Sequence, residues 1–167
     1  MRPHHTKTKG DLGILHAQLD LAKKGFGILV PMTEHEAFDL VAYRGERFFR
    51  VQVKYRALTN GCVSVPFKTS WADRHGVHSV AVDKSSIELL CIYCPETDRC
   101  YYVDPTRFGA IVVLRVTALR NGQRKGIAWA DDYLQVPAGV LGVPPASSSR
   151  LEDEPDIGQS APPNRRP

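Results

Sequence analysis

An acid, an amide and a lysine stand close together in the stretch FDLVAYRGERFFRVQVKY, residues 38–55: Asp39, then Gln52, then Lys54. Hydrolysing a phosphodiester requires a divalent cation to activate water and offset phosphate charge. It also requires hard oxygen ligands for that cation and a positive group nearby. Asp39 offers a carboxylate, Gln52 an amide oxygen and Val53 a backbone carbonyl. Lys54 falls on the same face as Gln52, because strand side chains alternate. Asp11 can add a second carboxylate from a helix. Each residue also has a plain reading. Arg50, Gln52 and Lys54 at period two suit the wet face of any half-buried strand, and Asp11 suits the start of a helix, where the dipole favours acids.

These residues need elements to carry them. Residues 11–24, DLGILHAQLDLAKK, have helical periodicity and stop at Gly25. The leucine-rich arc of Leu12, Ile14, Leu15, Leu19, Leu21 and Ala22 is expected to pack, with His16, Asp20, Lys23 and Lys24 opposite. Asp11 and Gln18 interrupt that arc, so they are expected to point at the sheet. GFGILVP reads as a short strand and TEHEA as a turn. FDLVAY and FFRVQVKY, joined by RGER, read as an antiparallel hairpin. SIELLCIYC and RCYYVDP read as a second hairpin, AIVVLRV as a further strand, and TSWADRHGVHS as a loop. From Pro137 the chain is rich in Pro, Ser and charge and poor in aromatics. The expected organisation is a folded domain over 1–136 and a disordered tail over 137–167.

Composition narrows the partners. The 167 residues carry a formal net charge of +4, but residues 42–74 hold seven bases (Arg44, Arg47, Arg50, Lys54, Arg56, Lys68, Arg74) against two acids, Glu46 and Asp73. Lys7 and Lys9 extend this basic stretch. Such a stretch suits a polyanion such as double-stranded DNA, although an ordinary solvated surface has the same composition. In TSWADRHG, Lys68, Ser70, Arg74 and His75 are candidates for phosphate or groove contacts, and Trp71 for stacking or for a core anchor. No apolar run approaches the roughly 18 residues of a membrane span, and the start lacks a signal-peptide core, so a cytoplasmic location is expected. The four cysteines are expected to be reduced. His75, His78, Cys91 and Cys94 form an H-x2-H-x12-C-x2-C series that suits zinc only if both thiols converge, whereas strand alternation places Cys91 and Cys94 on opposite faces.

The order helix, strand, Asp39 on a hairpin, then Gln52-x-Lys54 resembles the PD-(D/E)XK nuclease superfamily, and FDL…RVQVKYR is most similar to its group I intron homing endonuclease subgroup. KGDLG before the helix adds to the likeness, which is clearest over residues 6–56. The resemblance implies an α/β restriction-endonuclease-like core, a mixed sheet flanked by helices. It also implies a metal-dependent DNA endonuclease using Mg²⁺, with Mn²⁺ able to substitute. It makes Asp39 the principal metal-binding acid, Gln52 the residue of the second acidic position, and Lys54 the group that orients water and contacts phosphate. Phe38 stands where the superfamily name has Pro, and Ile14 where the subgroup often has Glu, a loss for which Asp11 can substitute. A homo-oligomer is expected, because so small a domain does not easily reach both strands. Two alternatives remain: a non-catalytic DNA-binding relative of the same fold, and a structure-specific junction nuclease.

Overall fold

The computed structural model describes residues 5–33, 35–119 and 122–142, and for residues 69–72 the backbone alone. A long helix, α1 (His5–Lys23), precedes β1 (Gly27–Leu29), β2 (Leu40–Arg44) and β3 (Arg47–Tyr55). Then come β4 (Cys62–Pro66), β5 (Lys68–Asp73), β6 (Gly76–Ala81), β7 (Leu89–Cys94), β8 (Arg99–Val103), β9 (Ile111–Arg115) and a short α2 (Ala138–Leu141). The central sheet has the order β1-β2-β3-β7-β8 and is mixed, since β3 and β7 run parallel while the other neighbours are antiparallel. Parallel neighbours need a long crossover, and here β4, β5 and β6 supply it. This is the expected α/β restriction-endonuclease-like core. Among the described residues no helix is long and apolar enough to cross a membrane.

Strand alternation divides the interior into two cores. Val51, Val53, Leu89, Cys91 and Tyr102 face α1, with Ala17, Leu21 and Phe26 packed on them. Leu90, Ile92, Cys94, Tyr101 and Val103 face the other way, onto Val63 and Val65 of β4 and Val112 and Leu114 of β9. Cys91 and Cys94 therefore lie on opposite faces, as the alternation required. The described chain also runs past residue 136: Val140 and Leu141 of α2 pack on the first core, and Arg47 donates to the Leu141 carbonyl at 2.8 Å. The rest of the expected tail, 143–167, lies outside the described residues.

Two sequence expectations are corrected. The helix docks through only part of its leucine arc: Leu21 is buried and Ile14 packs on the core, but Leu12, Leu15 and Leu19 are 41%, 61% and 55% exposed, and Gly13 and Ala17 are buried in their stead. The sheet surface beneath is aromatic, and it selects small or polar partners. A Cβ on Gly13 would already stand 3.4 Å from that of Tyr55. His16 stacks on Tyr93 at 4.0 Å between ring centroids. Asp20 Oδ2 accepts from the Tyr102 hydroxyl at 2.6 Å and from Lys24 at 2.7 Å, which partners its half-buried carboxylate. The second correction concerns residues 69–79, expected as a loop. They belong to a two-stranded ribbon in which β5 and β6 pair through all of Lys68–Asp73 and Gly76–Ala81.

Candidate active site

The β2–β3 hairpin sets the site. Gly45, with φ of +62°, takes the left-handed turn position that a side chain would disfavour, and the register that follows pairs Leu40 with Val51. Asp39, one residue before β2, thereby arrives beside Gln52. Its backbone N–H donates to the Val51 carbonyl at 2.9 Å, and its carboxylate Oδ2 accepts from the Val53 N–H at 2.6 Å. Gln52 donates through Nε2 to the Ala37 carbonyl at 3.3 Å, which leaves Oε1 as the open acceptor of that amide. Lys54 is half-buried on the same strand face. Burial pushes its ammonium below the ordinary lysine range, the Asp39 carboxylate pulls it back up, and Arg56 adds to the lowering.

Asp39 also opens into a cleft of about 580 Å³ between α1 and the segment leading to β2. Lys7, Asp11 and Ile14 line it from the helix, and Glu36 and Phe38 from the other side. Asp11 thus shares a cleft with Asp39, while Gln18 does not line it. The helix begins at His5, so Asp11 sits well inside it and is no terminal residue. Glu36 was missed in the sequence. Its only signal was an acid three residues before Asp39, in a stretch that reads equally well as a turn.

The donors here suit a hard cation. Asp39 keeps Oδ1 open, Gln52 adds Oε1, and Val53 has a backbone carbonyl; all are oxygens, the ligand type that Mg²⁺ takes while keeping several waters. Among the described residues no three His, Cys, Asp or Glu side chains converge closely enough to hold a metal. The cleft's three acids therefore do not form a cage, and neither do His75, His78, Cys91 and Cys94. The two cysteines are buried, whereas His78 Nε2 lies 3.1 Å from Asp73 Oδ1 on the ribbon. These four residues do not converge, so the zinc arrangement that strand alternation already disfavoured is not carried further.

The basic residues divide by what already holds them. Arg50 is engaged: its guanidinium pairs with Glu88 and donates to the Ser85 carbonyl at 3.0 Å. It ties the turn at Lys84–Ser86 to β3. Lys9 stands 5.9 Å from the centre of the Tyr55 ring, and Arg56 donates to the Tyr55 carbonyl at 3.2 Å. Lys68, Arg74 and His75 are exposed, at the base and turn of the ribbon. The Ser70 and Trp71 side chains lie outside the described ones. A larger cavity, about 680 Å³ and lined by Asp104, Arg107, Asp132 and Tyr133, shares no residue with the cleft.

Comparison with known proteins agrees with the fold. The family described as PD-(D/E)XK endonuclease matches residues 4–136. A solved structure, that of the bacterial homing endonuclease I-Ssp6803I, is similar with a TM-score of 0.65 and 20% sequence identity, over 83% of this chain and 93% of that one. No curated protein sequence matches.

Proposed function

Because the chain belongs to the PD-(D/E)XK endonuclease family, we propose that it hydrolyses duplex DNA with a divalent cation held at Asp39, Gln52 and the Val53 carbonyl. The observation that carries this reading is the convergence of the Asp39 carboxylate, the Gln52 amide and the low-pKa Lys54 at one end of the β2–β3 hairpin. The cation, Mg²⁺ or Mn²⁺, supplies an activated water and offsets charge on the phosphate. The chain supplies the rest. The Val53 N–H fixes the rotation of the Asp39 carboxylate, so that its free oxygen has one direction. Lys54, lowered by burial, is neutral in a larger fraction of molecules at a given pH than an exposed lysine and so is available to accept a proton from water; when charged it faces the scissile phosphate. Asp11, across the cleft from Asp39, supplies the negative charge that Ile14 and neutral Gln52 do not. Lys7, Lys9, Arg56, Lys68, Arg74, His75 and Ser70 form the phosphate-contacting set, and Arg50 is left out because Glu88 and Ser85 hold it.

One observation favours a second reading. Ile14 lines the cleft where a carboxylate would serve, and among the described residues no three acids converge, so a non-catalytic DNA-binding relative fits the same fold. The exposed leucine stripe of α1 supports self-association of two copies, which would place one site on each strand. Incubating the protein with supercoiled plasmid, a four-way junction and a random linear duplex, each with Mg²⁺ or EDTA, separates these readings. Mg²⁺-dependent nicking of plasmid or duplex is expected. Cleavage confined to the junction would assign a structure-specific nuclease, and binding without cleavage would assign the non-catalytic relative.

A further inference from the structure

Among the described residues, no third strand pairs with the β5–β6 ribbon and its strand β6 is bare. In an ordinary sheet one face is covered, yet along β6 only His78 is even half-buried, and Val77 and Val80, on opposite faces, are 80% and 57% exposed. An isolated two-stranded ribbon is marginal in water, so this one is completed by something it binds. Its base, by contrast, is fixed. Phe67 is buried, the Val82 N–H donates to the Phe67 carbonyl at 3.1 Å, and Lys84 lies over the Phe67 ring while donating to the Phe108 and Gly109 carbonyls. A rigid base with a bare arm describes an element held out towards a ligand.

Direction, dimensions and chemistry indicate which ligand. The ribbon continues β4, which packs on the sheet face where Leu90 and Ile92 lie, and these are the register partners of Gln52 and Lys54. The arm therefore leaves from the layer on the same side as the proposed site. Its six residue pairs extend roughly 20 Å, and a two-stranded ribbon fits a major groove of about 12 Å width. Charge is distributed as a groove requires. Lys68 lies at one end and Arg74 and His75 at the other, while residues 76–81 carry no Asp, Glu, Lys or Arg. Asp73, the acid at the tip, is occupied by the His75 N–H at 2.7 Å and by His78.

We propose that this ribbon enters the major groove of the bound duplex and that Val77 and Ser79, adjacent on its fully exposed face, read base edges while Lys68, Arg74 and His75 rest on the flanking phosphates. The assignment rests on the DNA-nuclease reading above and adds to it the element that chooses the sequence. A short apolar side chain meets the thymine methyl, and a hydroxyl bonds either base edge.

The test uses the full chain carrying Asp39→Asn, so that bound DNA is not cut, with and without the further pair Val77→Ala and Ser79→Ala. Each protein selects duplexes from a randomised pool, and circular dichroism and sedimentation check fold and assembly. The ribbon-intact protein should enrich a motif. The double variant should lose discrimination by roughly tenfold at two or three adjacent positions, with its salt slope unchanged. Replacing thymine by uracil, or methylating guanine N7, at those positions should weaken only the ribbon-intact protein. The same motif from both proteins, or no motif despite retained duplex, would overturn the ribbon's role. A change of assembly state in the double variant would assign the ribbon to contact between copies instead. Retention of no duplex by the ribbon-intact protein would overturn the nuclease reading itself.

Discussion

At Lys54 the proposed function sets activity against stability. Folding lowers its pKa, so between the folded and unfolded values the folded chain binds fewer protons, and the stability attached to this residue rises with pH across that window. Below the window, the half-buried charge is a constant cost. Lys54→Met is expected to abolish cleavage and yet raise the melting temperature at neutral pH, by a margin that shrinks at alkaline pH; thermal scans across pH check this. Cleavage by the unmutated protein should rise with pH and level off below the ordinary lysine pKa, and Lys54→Arg should remove that limb. Asp11 has no capping role inside α1, so Asp11→Asn should leave the melting temperature unchanged while reducing cleavage, with duplex affinity kept or strengthened by the lost negative charge. An Asp11→Asn protein that cleaves like the original would remove Asp11 from the site.

The elements show where sequence reading succeeds and where it stops. Hairpin β2–β3 was legible because a Gly-containing turn joins two alternating runs, and its register alone brings Asp39 to Gln52. Hairpin β7–β8 was legible because the turn residues PETD separate two short apolar runs. The docking side of α1 was not. Leucine periodicity predicts the buried face only when the opposing surface is aliphatic, whereas Tyr55, Tyr93 and Tyr102 select Gly13, His16, Ala17 and Asp20. The ribbon was missed because a strand such as β6, exposed on both faces, has no inward alternation to read. Two measurements follow for the helix. Tyr102→Phe should cost about 1–2 kcal/mol in denaturant unfolding, since it removes a hydrogen bond to a carboxylate. Leu15→Glu, on the exposed stripe, should leave the fold unchanged by circular dichroism and shift sedimentation towards the monomer; an unchanged sedimentation profile would show that the stripe is not an interface.

Across the whole molecule, the mixed sheet holds a small oxygen-donor site at one end of a hairpin, with a cleft from α1 on one side and a bare ribbon from the β4 layer on the other. The proposed function assigns the cation and the phosphate to that site and the groove to the ribbon, and it requires Asp39 to make DNA cleavage depend on metal. The most direct measurement is the rate at which supercoiled plasmid is nicked in Mg²⁺ by the original protein and by Asp39→Asn, at concentrations where both shift the same duplex. The prediction is nicking that EDTA abolishes and that Asp39→Asn lowers by at least about a hundredfold without loss of binding. Equal nicking by both proteins, or binding by the original protein with no cleavage in Mg²⁺ or Mn²⁺, would contradict it.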